Sequence, residues 1–222
     1  HLDVLKYFIE EKKMDVNLKN RDGQPCAFLA ANVDHFPIIQ YLIESANANV
    51  TMLDDRQRNI LHMLASYRNN SLRIPKYLLE DKQLPIDVDG KDTEGLTPIN
   101  LAVNYIRVEL IKYLVSERNA NVSICDGIGR TPLHQASYVN NMELVQFLVK
   151  HGADPTVKDK ENVTAIELTK TPEIADFLEI EVFKRTPEKS TQKPSSPPTP
   201  VSPQETAQPY YQDHNQEPSC DD

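Results

Sequence analysis

A six-residue pattern recurs four times along the chain: two apolar positions, a polar spacer, an aromatic residue and two more apolar positions. It reads IIQYLI at 38–43, IPKYLL at 74–79, LIKYLV at 110–115 and LVQFLV at 144–149. A second pattern precedes each copy and is clearest in GRTPLHQA at 129–136. There Pro132 suits a first helical position, where its missing N–H costs nothing and its fixed φ is already helical. Thr131 can cap that helix through its side-chain oxygen. Leu133 and Ala136 lie three apart on one helical face, and the alanine is small enough to admit a close neighbour. The stretch therefore predicts a turn feeding a tightly packed helix. GLTPINLA at 95–102 repeats it, and NILHMLA at 59–65, NVTAIELT at 162–169 and GQPCAFLAA at 23–31 are degraded copies.

The copies are periodic. Asn20, Asp54, Asp92, Asp126 and Asp159 open the successive turns, at spacings of 34, 38, 34 and 33 residues. The linkers repeat as well, NANVTMLD at 47–54 answering NANVSICD at 119–126. At these residues the chain resembles the ankyrin-repeat family, whose unit of about 33 residues carries a Thr-Pro-Leu-His-x-Ala signature. The resemblance runs from His1 to about Arg185 and is strongest over 126–159.

It implies an all-α ankyrin-repeat solenoid, helix–turn–helix units with hairpin-like fingers, each unit leaning on its neighbours. Residues 1–19 would be the second half of a truncated repeat. Residues 20–185 would hold five repeats, starting near 20, 54, 92, 126 and 159, with the last, shortened around TKTPE, as a cap. The unit at 54–91 departs from the pattern: it is the longest, and Gln57 stands where the finger glycine is expected. Because the first unit opens in its second helix, HLDVLKYFIEE, an apolar face is expected to be left uncovered, and further repeats are expected upstream. The resemblance gives His62 and His134 a structural role, an imidazole hydrogen-bonded near the turn.

From Thr186 the pattern stops. Residues 186–222 hold Pro187, Pro194, Pro197, Pro198, Pro200, Pro203, Pro209 and Pro218 out of 16 prolines in the chain, with no apolar periodicity. Such a segment cannot bury enough surface to order itself, and a disordered acidic tail is expected. Thr186, Ser196, Thr199 and Ser202 each precede a proline and are candidate sites for proline-directed phosphorylation. The Pro-x-x-Pro spacings admit a polyproline helix for an SH3-type groove, or a plain spacer.

Charge and composition narrow the function. The net charge of −9 speaks against a nucleic-acid binder, which needs a surplus of Lys and Arg on one face. The longest apolar run, 26–31, is far short of the roughly 18 residues of a spanning helix, so no membrane partner is expected. Cys26, Cys125 and Cys220 match no disulfide or zinc spacing and suit a reducing compartment, hence a cytoplasmic or nuclear location. The histidines do not cluster at metal-ligand spacing, and with 6 glycines there is no phosphate-cradling loop. No catalytic residue, metal or cofactor is proposed from the sequence, and the chain is read as a non-enzyme and a monomer.

Function must then come from a surface. In proteins resembling this one, partners lie along the concave face of finger tips and first helices. Carried over by position, that face includes Arg21, Arg56, Arg58, Lys91, Ile128, Arg130, Lys158 and Lys160 on the fingers, and Tyr67, Tyr105 and Tyr138 near the ends of successive first helices. Basic tips beside a tyrosine floor would suit an acidic or phosphorylated protein segment with apolar anchors. The other reading is that the cations keep the fingers solvated and the tyrosines pack between helices. At the level of the whole chain the expectation is a protein-interaction module, an adaptor, scaffold or inhibitor, with an accessory segment of a larger enzyme or channel as the alternative.

Overall fold

The computed structural model describes residues 1–66 and 71–185. These hold α1 (Leu2–Lys6), which runs on through a π-helical turn (Tyr7–Glu11), then α2 (Cys26–Asn32), α3 (Phe36–Glu44), α4 (Ile60–Ser66) and α5 (Arg73–Lys76), which continues through a second π-helical turn (Tyr77–Asp81). There follow α6 (Pro98–Asn104), α7 (Val108–Ser116), α8 (Pro132–Tyr138), α9 (Met142–Lys150), α10 (Ala165–Leu168) and α11 (Pro172–Arg185). Among the described residues β-structure is limited to two isolated bridges, Lys19 with Pro25 and Lys158 with Thr164. The short helices α2, α4, α6, α8 and α10 stack on one another in chain order, and α2, α6, α8 and α10 each pack against the helix that follows. The described residues thus form a stack of helical hairpins, the all-α repeat solenoid expected from the sequence.

The stack is cemented by side chains that recur in register. Ile39, Leu42, Ile74, Leu78, Ile111, Leu114, Leu144 and Leu148, all from the recurring six-residue pattern, are fully buried, as are Leu133 and Ala136 beneath them. Burying a leucine side chain is worth about 1.5–3 kcal/mol, so this core outweighs any single polar contact. The aromatics of the first two patterns have a polar task, whereas the Tyr113 hydroxyl is buried with no hydrogen-bond partner among the described residues. Tyr41 donates its hydroxyl to Glu10 at 2.8 Å and Tyr77 donates to Glu44 at 3.0 Å, each carboxylate lying on the preceding outer helix. Burial, with Glu80 beside it, pushes the Tyr113 phenol well above its ordinary range. At the next junction Ser116 replaces the glutamate and Phe147 the tyrosine, so donor and acceptor disappear together.

The ends differ from the middle. Phe8 is 43% exposed, although Leu42, Leu78, Leu114 and Leu148, which occupy its place in later units, are all at 0%. Val4 and Tyr7 are exposed beside it, so α1 shows the apolar face that the sequence led us to expect. At the other end, α10 is only four residues long and is tied down by Asn140. The Oδ1 of Asn140 accepts bonds from Thr169 Oγ1 (3.0 Å), the Lys170 N–H (2.8 Å) and Thr171 Oγ1 (2.9 Å). In the longest unit the extra residues are shared between the connection from α4 to α5, which is longer than that from α6 to α7 or from α8 to α9, and the loop after the Tyr77–Asp81 π-helical turn.

Candidate functional site

Each finger is closed by the acid or amide that opens it. The Oδ1 of Asn20, Asp54, Asp92, Asp126 and Asp159 accepts two backbone N–H bonds, from the residues two and four places on, at 2.8–3.0 Å. The fourth residue of every turn is left-handed: Gly23, Gly95 and Gly129, but also Gln57 at φ +60 and Asn162 at φ +63. Successive fingers are then joined by a backbone ladder. Asp55 N–H donates to Asp22 O, Thr93 to Arg56 O, Gly127 to Glu94 O and Lys160 to Ile128 O, at 2.7–3.3 Å. The five tips therefore form one continuous edge whose backbone groups bond to each other.

Most of the finger cations serve this edge. Arg58 grips Asp54 through Nε and Nη2 at 2.8 Å each, and Asp54 is buried. Arg130 Nε reaches across to Asp159 at 3.0 Å. Burial pulls the Asp159 carboxyl up, yet the Val163 N–H and Arg130 outweigh it and hold the group below its ordinary value. Lys91 Nζ donates to Cys125 O at 2.9 Å, and Lys160 Nζ to Gly127 O at 2.6 Å. Arg21, Arg56 and Lys158 are exposed, and their side chains make no ion pair or hydrogen bond among the described residues. Of the cations that the sequence placed on this surface, these three carry charge the fold does not use.

The aromatic residues also divide. Tyr105 caps the C-terminus of α6 and is 42% exposed. Tyr138 ends α8 half-buried, and Ile128 is half-buried within its finger. Tyr67 lies outside the described residues, as do Thr186, Ser196, Thr199 and Ser202. Beside Tyr105 stands a residue that the motif did not single out. Ile106 has φ +55 and is also 42% exposed. The same helix-end position holds Asp34 and Asn140 in sister units, residues that tolerate the left-handed region. A β-branched residue there is strained, and its signal in the sequence is an isoleucine where a small or Asx residue belongs.

His62 and His134 are fully buried, each spanning two units. The Nδ1 of His134 accepts the Thr131 N–H at 3.2 Å, closing a capping box, and its Nε2–H reaches Val163 O of the next finger at 3.2 Å. His62 does the same between the Asn59 N–H (3.1 Å) and Leu96 O (3.1 Å). Burial holds both imidazoles below their usual pKa, which keeps them neutral. Both nitrogens of each ring are committed to the stack, an arrangement that leaves no nitrogen for proton transfer. Among the described residues no group of three or more His, Cys, Asp or Glu could hold a metal ion, and no helix is long and apolar enough to cross a membrane.

A stack of helical hairpins joined by a ladder of capped fingers defines a repeat protein of the kind that presents an extended surface. The family described as ankyrin repeats (3 copies) matches residues 1–92 and 63–159, and the chain belongs to that family. It is 30% identical over 173 residues to the putative ankyrin repeat protein YahD of Escherichia coli, covering 74% of this chain and 83% of that protein. It is 26% identical over 181 residues to alpha-latrocrustotoxin-Lt1a of Latrodectus tredecimguttatus and 30% identical over 166 residues to protein glp-1 of Caenorhabditis elegans. Those matches take 76% and 69% of this chain, but the chain spans only 12% of the length of either relative. Ankyrin repeats are in general non-catalytic mediators of protein–protein contact, and this fold is built for that role.

Proposed function

We propose that the chain is a protein-interaction module, an adaptor, scaffold or inhibitor, that binds a segment of another protein along the finger tips and the C-terminal ends of the inner helices. One observation carries the reading. The fingers meet their own hydrogen-bonding needs, which leaves the side chains of Arg21 and Arg56 exposed without an ion pair or hydrogen bond among the described residues, while the Tyr105 ring, with the Arg107 guanidinium 5.9 Å from its centre, stands exposed beside the strained Ile106. Arginine and tyrosine are the residues that most often anchor interfaces. The partner segment that fits brings carboxylate or phosphate groups to Arg21 and Arg56 and an apolar side chain to Tyr105 and Ile106. Engagement of Arg58, Lys91, Arg130 and Lys160 narrows the basic surface to the first two fingers and Lys158, and so makes the apolar contact the larger part. A cytoplasmic or nuclear location suits such a module.

The test is capture from lysate by the immobilised full chain. The double variant Arg56→Ala/Tyr105→Ala should lose the dominant partner, while Ser116→Ala/Gln146→Ala, on exposed positions of the outer helices, should keep it. Loss with the second pair and retention with the first would move the site to the outer face. A second reading, an accessory segment of a larger enzyme or channel, is favoured by the 12% share that the match takes of two relatives. A full-length transcript encoding a catalytic or membrane domain would decide for it.

A further inference from the structure

Three Thr-Pro steps lie among the described residues, and the fold treats them differently. In Thr97-Pro98 and Thr131-Pro132 both residues are buried, and each hydroxyl lies against the third residue of the helix it opens. Thr171-Pro172 stands at the surface. Thr171 is half-buried, and Lys170 and Pro172 on either side of it are exposed. Thr169 is extended at φ −78, ψ 145, and a residue before proline is held out of the helical region. Residues 169–171 therefore form an extended strap between α10 and α11, with proline directly after the hydroxyl.

The strap is held mainly through one atom. Asn140 Oδ1 receives the hydroxyls of Thr169 and Thr171 and the N–H of Lys170, all within 3.0 Å. Beneath the strap, α10 and α11 bury only Ala165, Ile174 and Leu178. A terminal unit in a one-dimensional stack has a neighbour on one side only, so it opens at lower cost than the middle.

We propose that Thr171 is a phosphorylation site for a proline-directed protein kinase, and that the phosphate unfastens the last repeat from Asn140. In the transfer a bond forms between Thr171 Oγ1 and the γ-phosphorus of ATP, the bond from that phosphorus to the β–γ bridging oxygen breaks, and ADP leaves. The hydroxyl proton passes to the base of the kinase. The modified oxygen then has no proton to donate, and a 2.9 Å oxygen–oxygen contact has no room for a phosphoryl group. Its charge of about −1.5 to −2 also meets Glu173 two residues on. The phosphate stays favourable at the N-terminus of the 14-residue α11, so the helix persists while its attachment is lost.

The full chain, incubated with Mg-ATP and a proline-directed kinase, should gain phosphate at Thr171 and none at Thr131, mapped by mass spectrometry. The Lys170 amide should then exchange with solvent at least about tenfold faster, the effect of losing one to two hydrogen bonds. Asn140→Gly, which unties the strap at a left-handed position that glycine adopts freely, should raise the phosphorylation rate at Thr171 several-fold. In Thr171→Val, kinase treatment should leave the Lys170 amide unchanged. The proposal fails if Thr171 stays as unmodified as Thr131 while a Thr-Pro reference peptide in the same tube is phosphorylated. It fails equally if the phosphate leaves Lys170 exchange unaltered, or if Asn140→Gly leaves the rate unaltered.

Discussion

At the scale of single residues, the position three places after the N-cap shows how one side chain couples neighbouring units. His62 and His134 take an N–H from their own cap and give an N–H to the next finger, and burial holds both below their usual pKa. Unfolding returns them to the ordinary value near 6.5, so below that pH the unfolded chain binds more protons. Their contribution is complete above about pH 6.5 and is lost progressively as the pH falls toward the lower folded values. Urea midpoints should therefore drop between pH 7.5 and 5, and the drop should shrink in His62→Gln/His134→Gln; equal slopes would show that other groups govern it. In the third repeat Asn100 fills the same place. Its Oδ1 takes the Thr97 N–H, but its Nδ2 is buried with no partner, being too short to reach the next finger. Asn100→His restores the bridge toward Arg130 O and should raise unfolding stability by about 1–2 kcal/mol in a urea titration.

At the scale of elements, the fingers are the joints most sensitive to a single methyl group. A Cβ on Gly95 would stand 2.7 Å from Gly127 N, in the rung where Gly127 N–H meets Glu94 O. Gly95→Ala should cost more than about 2 kcal/mol, since a left-handed alanine alone costs about 1–2 kcal/mol. Gly152 is also left-handed but has open space around it, so Gly152→Ala should cost only the conformational share. Equal losses in thermal unfolding would contradict the ladder. The helices and the turn openers were legible in the sequence because apolar period and Asx position recur, as at Leu42, Leu78, Leu114 and Leu148. The use of Lys91, Arg130 and Lys160 was not legible, because it depends on carbonyls and a carboxylate contributed by another unit. Lys91 and Arg56 look alike in the chain, yet one bonds to Cys125 O and the other stands free. Ile106 was missed for a related reason: an apolar residue after a helix reads as core until its backbone angle and exposure are known.

At the scale of the whole molecule, a stack of units with a self-contained finger edge separates stability from recognition. The outer tyrosine–glutamate pairs, the buried leucines and the bridging histidines hold units together and are spent in doing so. Residues outside that bookkeeping gather at finger tips and inner-helix ends, where a partner meets several units at once. The measurement that tests this most directly is amide hydrogen exchange of the full chain with and without its captured partner. Binding along the proposed surface predicts slowed exchange at the finger tips around Arg21 and Arg56 and at the α6–α7 turn around Tyr105 and Ile106, with the exposed sides of α7 and α9 unchanged. Protection concentrated on α7 and α9, with the fingers unaffected, would contradict it.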